Sequence, residues 1–389
     1  MDIRFAERFD GITGSEIRKI FALLNDPEMI SLAGGNPSPQ SFPAKEVAEI
    51  AEEIISKNSA VALQYGNTPG INDFLELLKA NDPDIKDYDG MLVLTGSSQG
   101  IDFASRTLLN PGDRILVESP TFLGALQTYM IAQADIETVE LEEDGVDLNM
   151  LEDKVKKYSP KFFYIIPTFQ NPSGRTTSLE KRKAVYDICS RHGVLVLEDD
   201  PYKALRYEGE DIRSIKSFDT EGFVIKLMSY SKTISPGIRV GAVTAHKDII
   251  QKFNLCKQGA DVHTSNLCQL IVYEYERRGL MKDHLDVIRS MYREHRDALM
   301  DAVASEFPES VKVLKPQGGL FAWCEMPEGT DSRDIFTKCV ENKVAFVPGE
   351  PFYAKNGRKN TFRLNFSMPS VDDIYKAIGI MGRILRENI

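Results

Sequence analysis

The chain has 389 residues, 42% of them hydrophobic and 27% charged, with a formal net charge of -11. That length exceeds one ordinary core and predicts two domains, with room for a pocket between them. The acidic balance argues against nucleic acid as a partner, and no run of about 18 apolar residues predicts a membrane span. Five cysteines, none in a C-x-x-C pair, suggest neither a disulfide framework nor a zinc site. With no apolar stretch after a basic start there is no secretory signal in the first residues, so a cytoplasmic protein with reduced thiols is expected.

In chain order, apolar runs alternate with helical patterns. Strands are predicted at Met91–Thr95, Arg114–Ser119, Ile136–Leu141, Lys161–Pro167, Val194–Asp199, Val224–Ser229 and Val240–Ala245. Helices are predicted after Gly96, from about Phe122, between Leu141 and Lys161, and over Ser178–His192. Such alternation implies an α/β fold, a mainly parallel sheet covered by helices on both faces. Ligands of such sheets sit outside the carboxyl ends of the strands. A long helix over Asp283–Val303 leads into a second α/β unit. Its strands are expected near Val311–Leu314, Leu320–Glu325, Ala345–Val347 and Phe362–Phe366, and its helices near Ser332–Asn342 and Val371–Glu387.

Four strand ends carry chemistry. Ser229-Tyr230-Ser231-Lys232 closes one strand, and Arg239 follows after Pro236-Gly237. Hydroxyls, an ammonium and a guanidinium there can hold an anion. A desolvated lysine has a lowered pKa and attacks carbonyls as an amine. The plainer alternative is a polar turn with solvated charges. Gly96-Ser97-Ser98-Gln99 opens a helix, where free N–H groups and the dipole favour a phosphate, or where the turn is only a cap. Gln170-Asn171-Pro172-Ser173-Gly174 is a turn signal whose Asn171 could donate to a ring hydroxyl. Asp199 ends a buried strand; a carboxylate there needs a partner, such as a protonated ring nitrogen, unless it caps the next turn.

In this order the four segments closely resemble the fold-type I pyridoxal-phosphate (PLP) aminotransferases of class I/II. The resemblance runs from Ser31-Leu32-Ala33-Gly34-Gly35-Asn36-Pro37 to Asn360-Thr361-Phe362-Arg363-Leu364. It implies a large three-layer αβα domain over 44–285, a small α/β domain over 286–389, and an N-terminal segment, 1–43, joining the small domain. It implies a Schiff base between PLP and Lys232, which then moves the proton at the substrate Cα. Asp199 would keep the pyridine nitrogen protonated, making the ring an electron sink. Asn171 and Tyr202 would bond the ring oxygen. Backbone N–H groups of Ser98 and Gln99, with Ser229, Ser231 and Arg239, would hold the phosphate. Phe122 matches the ring-stacking aromatic, where the family more often has Tyr.

Arg363 resembles the arginine that takes the substrate carboxylate, and Gly35 the glycine that lets the N-terminal segment pass close by. Tyr65, in Tyr65-Gly66-Asn67-Thr68-Pro69-Gly70, resembles the tyrosine that reaches the neighbouring subunit's phosphate, implying a homodimer with shared sites. Ser15-Glu16-Ile17-Arg18 with Ser31–Pro37 resembles 2-aminoadipate/kynurenine aminotransferases, in which such an arginine approaches the substrate's distal group. Expected substrates are small amino and 2-oxo acids: a 2-aminoadipate, aromatic or similar donor, with glutamate/2-oxoglutarate as the partner pair. A C–S β-lyase on the same fold shares these residues. A PLP-sensing regulator would carry a basic DNA-binding module; with the cofactor domain beginning close to residue 1 and an acidic net charge, none is expected here.

Overall fold

The structure, a computed structural model, describes residues 3–10, 12 and 26–389. In chain order its strands are β1 (Ile30–Ser31), β2 (Asp89–Leu94), β3 (Arg114–Ser119), β4 (Asp135–Glu142), β5 (Gly145–Val146), β6 (Phe162–Ile165), β7 (Leu195–Asp199), β8 (Val224–Ser229), β9 (Gly241–His246), β10 (Lys312–Val313), β11 (Phe321–Glu325), β12 (Val344–Ala345), β13 (Val347–Pro348) and β14 (Thr361–Asn365). The large sheet has the order β2-β9-β8-β7-β6-β3-β4-β5. Strands β8, β7, β6, β3 and β4 are mutually parallel, and β9 runs against both β2 and β8. The expected α/β fold with a mainly parallel sheet is therefore present.

Apolar residues on successive positions part to opposite faces of this sheet, as the two-residue period of a strand requires. Leu94, Val117, Tyr164, Leu197 and Leu227 enter one core, while Leu116, Phe163, Ile165 and Val196 enter another. Burial on both faces is why these segments read as continuous apolar runs. Side-chain caps start the covering helices: Asp147 accepts from Met150 N ahead of Leu148–Tyr158, and Ser178 from Lys181 N ahead of Leu179–Arg191.

Two expected strands differ. The run Lys161–Pro167 pairs only over Phe162–Ile165, because Ile166 N donates 2.9 Å to the buried Glu118 carboxylate instead of to a neighbouring strand. The expected Ala345–Val347 strand is two short ones. Val344–Ala345 pairs parallel with Ile30–Ser31, and Val347–Pro348 pairs antiparallel with β14 in the sheet β10-β11-β14-β13. The chain crosses from one ladder to the other at Phe346, whose ring is buried against Phe362, 4.9 Å between centroids. The N-terminal segment thereby joins the C-terminal sheet: Asn365 N donates to Leu32 O at 2.7 Å. No described helix is long and apolar enough to cross a membrane.

Candidate active site

Strands β2, β3, β6, β7 and β8 all end at one edge of the large sheet, and antiparallel β9 begins there. Their connections bring Ser97, Ser98, Phe122, Asn171, Asp199, Tyr202, Ser229, Ser231, Lys232 and Arg239 to one cavity of about 290 Å³. Gly35, in the loop after β1, and Arg363, on β14, close it from the opposite side. The cavity lies where the strand-end rule for parallel sheets puts a ligand.

One end of the cavity is an anion cup. Gly96 (φ +82°, ψ 159°) caps the helix Ser97–Leu108 in a backbone conformation open essentially to glycine. Ser97 and Ser98 occupy the first two helical positions, so their N–H groups have no carbonyl a turn behind them. The Arg239 guanidinium packs over the same turn, donating 2.8 Å to Thr95 O and 3.3 Å to Ser231 Oγ. Ser229 Oγ donates to Ser231 Oγ at 2.9 Å. A Cβ on Gly96 would lie 2.3 Å from the guanidinium, so only glycine permits this approach.

The centre pairs an amine with a carboxylate. Lys232 Nζ donates 2.9 Å to Gly35 O. Burial, with the cations Arg363 and Arg239 nearby, pulls its pKa down to about 8, so part of it is free amine near neutrality. Asp199 is 3% exposed. Burial pushes its carboxyl up to about 6 although Tyr164 donates to Oδ2 at 2.9 Å. Its other oxygen, Oδ1, is buried without a hydrogen bond of good geometry, although the nearby Ser97 hydroxyl also favours the charged form. A buried acceptor left open is rare in a folded chain and marks a place for a donor, here preferably a cationic N–H.

Arg363 forms the opposite wall. Its Nη1 donates 2.9 Å to Asn171 Oδ1 and its Nη2 2.7 Å to Ala33 O, while Nε is buried and unpartnered. The guanidinium lies over the Phe321 ring at 4.3 Å and near Phe352 at 5.2 Å. Burial lowers its pKa to about 10, so it remains a cation and awaits an anion. Tyr202 is buried edge-on to Phe321, and its phenol is pushed up by desolvation.

Three expected residues stand elsewhere. Gln99 does not line the cavity; its N–H, at the third helical position, donates to Gly96 O at 3.1 Å and closes the first turn of the helix. Its side chain points away, into a cluster with Lys257 and Asp261. Tyr65 is 81% exposed, its ring edge-on to His263 at 6.0 Å, outside this chain's own cavity. Arg18 lies outside the described residues. Conversely, Tyr164, Phe321 and Phe352 were not singled out in the sequence. Tyr164 sits in an apolar run, and only the parallel register that sets it opposite Leu197 puts it on the same face as Asp199.

A cleft with an attacking amine, an open buried carboxylate and an anion cup suits a phosphorylated carbonyl cofactor, and the surrounding fold is that of the fold-type I PLP-dependent enzymes. The chain belongs to the family "Aminotransferase class I and II", whose model matches residues 27–379. It is similar to the aromatic-amino-acid aminotransferase 1 of Thermococcus litoralis, 37% identical over 99% of this chain and 94% of that protein. It is also similar to the 2-aminoadipate transaminase of Thermus thermophilus, 37% identical over 96% and 94%. Among solved structures it resembles Pyrococcus horikoshii kynurenine aminotransferase in complex with PMP, KYN as substrates and KYA as products. The TM-score is 0.95 at 36% identity, covering 98% of this chain and 97% of that one. The protein is thus a PLP-dependent aminotransferase rather than a lyase, and the open Asp199 Oδ1 and the cup at Gly96–Ser98 fit the two ends of its cofactor.

Proposed function

We propose that this aminotransferase takes 2-aminoadipate, an aromatic amino acid or a similar L-amino acid as donor, with glutamate and 2-oxoglutarate as the partner pair. The observation that carries the site reading is that the Lys232 amine, the open Asp199 oxygen and the Arg363 guanidinium all face one cavity. The names of the similar proteins support the substrate class. Bound there, PLP supplies a carbonyl that condenses with amines and a protonated pyridine that withdraws electrons from the substrate Cα.

With PLP bound, Lys232 would hold it and would be the group placed to take and return the proton at the substrate Cα. Asp199 would keep the ring nitrogen protonated, Asn171 and Tyr202 would bond the ring oxygen, and Phe122 would pack against the ring. The Ser98 and Gln99 N–H groups, with Ser229, Ser231 and Arg239, would hold the phosphate. Arg363 would bind the α-carboxylate through paired N–H groups and so orient the substrate Cα. Gly35 leaves room for the N-terminal segment beside the substrate, and Arg18 serves the distal group.

The reading extends to a cytoplasmic homodimer in which Tyr65 reaches the partner's phosphate. Exposed Val61, Leu63, Tyr65 and Val262 support such an interface, and five free cysteines support a reducing compartment. The division at 43/44 and 285/286 belongs to the same reading. Pairing of Ile30–Ser31 with Val344–Ala345 supports it, and the helix Leu280–Glu306 runs unbroken across the second boundary.

The test is the visible spectrum of the purified protein with PLP, before and after adding single amino acids without an acceptor. Conversion to the pyridoxamine form, fastest with 2-aminoadipate or an aromatic donor and reversed by 2-oxoglutarate, is expected. Conversion by only small aliphatic donors would overturn the substrate class, and loss of the lysine-bound band failing to accompany Lys232→Ala would overturn the site.

A further inference from the structure

The turn that forms the anion cup is held from behind by a polar cluster outside the cavity. Lys257 is fully buried on the helix Lys247–Ala260. Its ammonium donates to Gln99 Oε1 at 2.8 Å, Thr264 Oγ1 at 3.0 Å and the Asp261 carboxylate at 3.1 Å. Asp261 Oδ2 accepts from Thr95 Oγ1 at 2.6 Å and from Gln99 Nε2 at 2.9 Å. Gln99 Oε1 also accepts from Thr95 N at 3.0 Å, and Gln99 N donates to Gly96 O. Thr95 is therefore gripped at its amide and its hydroxyl, and its carbonyl is aimed at the Arg239 guanidinium.

Packing alone does not call for these charges. A buried ion pair adds little stability over apolar side chains of the same volume, and what it provides is orientation. Here the carboxylate and the ammonium decide which way the Gln99 amide faces, since its oxygen has two donors and its nitrogen one acceptor. That orientation in turn sets the Thr95–Gly96–Ser97 turn, the free N–H groups of the helix and the seat of Arg239. We propose that Lys257 and Asp261, acting through Gln99, are positioning residues for the phosphate end of the cofactor site. The proposal rests on the reading of Ser98 and Arg239 as phosphate ligands. It also gives Gln99 a role as the hub behind the cup.

The discriminating probe is pyridoxal, which has the ring and aldehyde of PLP but no phosphate. Dissociation constants for PLP and pyridoxal are read from the visible absorbance of the full-length protein, for the wild type, Lys257→Met and Asp261→Asn, with thermal melts of the cofactor-free proteins. Both variants are expected to bind PLP about ten-fold more weakly, the scale of one lost charge-assisted hydrogen bond, with pyridoxal binding changed by less than about two-fold. An unchanged ratio of PLP to pyridoxal affinity in a folded variant overturns the proposal, as does equal weakening of both. Tighter PLP binding by Asp261→Asn overturns it too, because removing a negative charge helps a phosphate only if the cluster acts through space. If Lys257→Met does not fold, Asp261→Asn, at a partly exposed helix end, decides. A wild type that shows no preference for PLP over pyridoxal and no competition by inorganic phosphate overturns the underlying phosphate reading along with the proposal.

Discussion

Asp199→Asn replaces a buried carboxyl by an amide of the same shape, at the point where stability and catalysis make opposite demands. In the cofactor-free protein, burial raises the Asp199 carboxyl from 3.8 to about 6. The folded state thus binds a proton that the unfolded state has already released, so stability falls as pH rises from about 4 to about 6 and the full cost persists above. A shift of about two units corresponds to about 3 kcal/mol. The amide escapes that cost, but its nitrogen inherits the partnerless place of Oδ1, which costs about 1 kcal/mol or more. The cofactor-free variant should therefore be about 1–2 kcal/mol more stable than the wild type at pH 7.5, and no more stable at pH 4. Urea unfolding midpoints across that range measure the difference. Addition of PLP should reverse the order, because only the carboxylate pairs with the ring nitrogen, and kcat should fall by about 10² or more. A stability difference that stays flat between pH 4 and 7.5, or a variant less stable at pH 7.5, would refute the reasoning.

Arg363→Ala should lower kcat/KM by about 10²–10³ through the lost paired hydrogen bonds to the substrate carboxylate, while the PLP dissociation constant changes little; steady-state kinetics and a cofactor titration separate the two. Gly96→Ala puts a Cβ into the Arg239 guanidinium at a backbone angle hostile to L-residues, so PLP affinity should drop about ten-fold or more and the melting temperature should fall. Tyr164→Phe removes the 2.9 Å bond to Asp199 Oδ2. It should reduce kcat about ten-fold with little change in KM, and an unchanged kcat would dismiss Tyr164 as a support of the carboxylate.

Much of the large sheet was legible because its strands are buried on both faces and are punctuated by glycine, serine and proline. Arg114–Ser119 and Val224–Ser229 occur as expected to the residue. Boundaries failed where side chains from distant elements took over backbone groups. Glu118 captures Ile166 N and shortens β6, and Ile30–Ser31 claims Val344–Ala345 for a different ladder from its neighbour Val347. Neither competitor is visible in a local window of sequence.

For the site, the residue types and their order along the chain determined its chemistry: a lysine and two serines at one strand end, a carboxylate at the next, a Gly-Ser helix start and a late arginine. These are local facts, set by what each strand end carries, and the rule that parallel strands present their carboxyl ends together was enough to gather them. What only the tertiary structure decided is how each group is poised. Register placed Tyr164 beside Asp199 and left the other carboxylate oxygen open. Antiparallel pairing of β11 with β14, and the turn Glu350–Phe352, seated Arg363 against Phe321 and Phe352. The Lys257 ammonium, 158 residues away in sequence, drew the Gln99 side chain into the cluster behind the cup. Hydrogen-bond partners and desolvation depend on neighbours brought together by folding, and those set the pKa of a lysine or an aspartate far more than its place in the chain does.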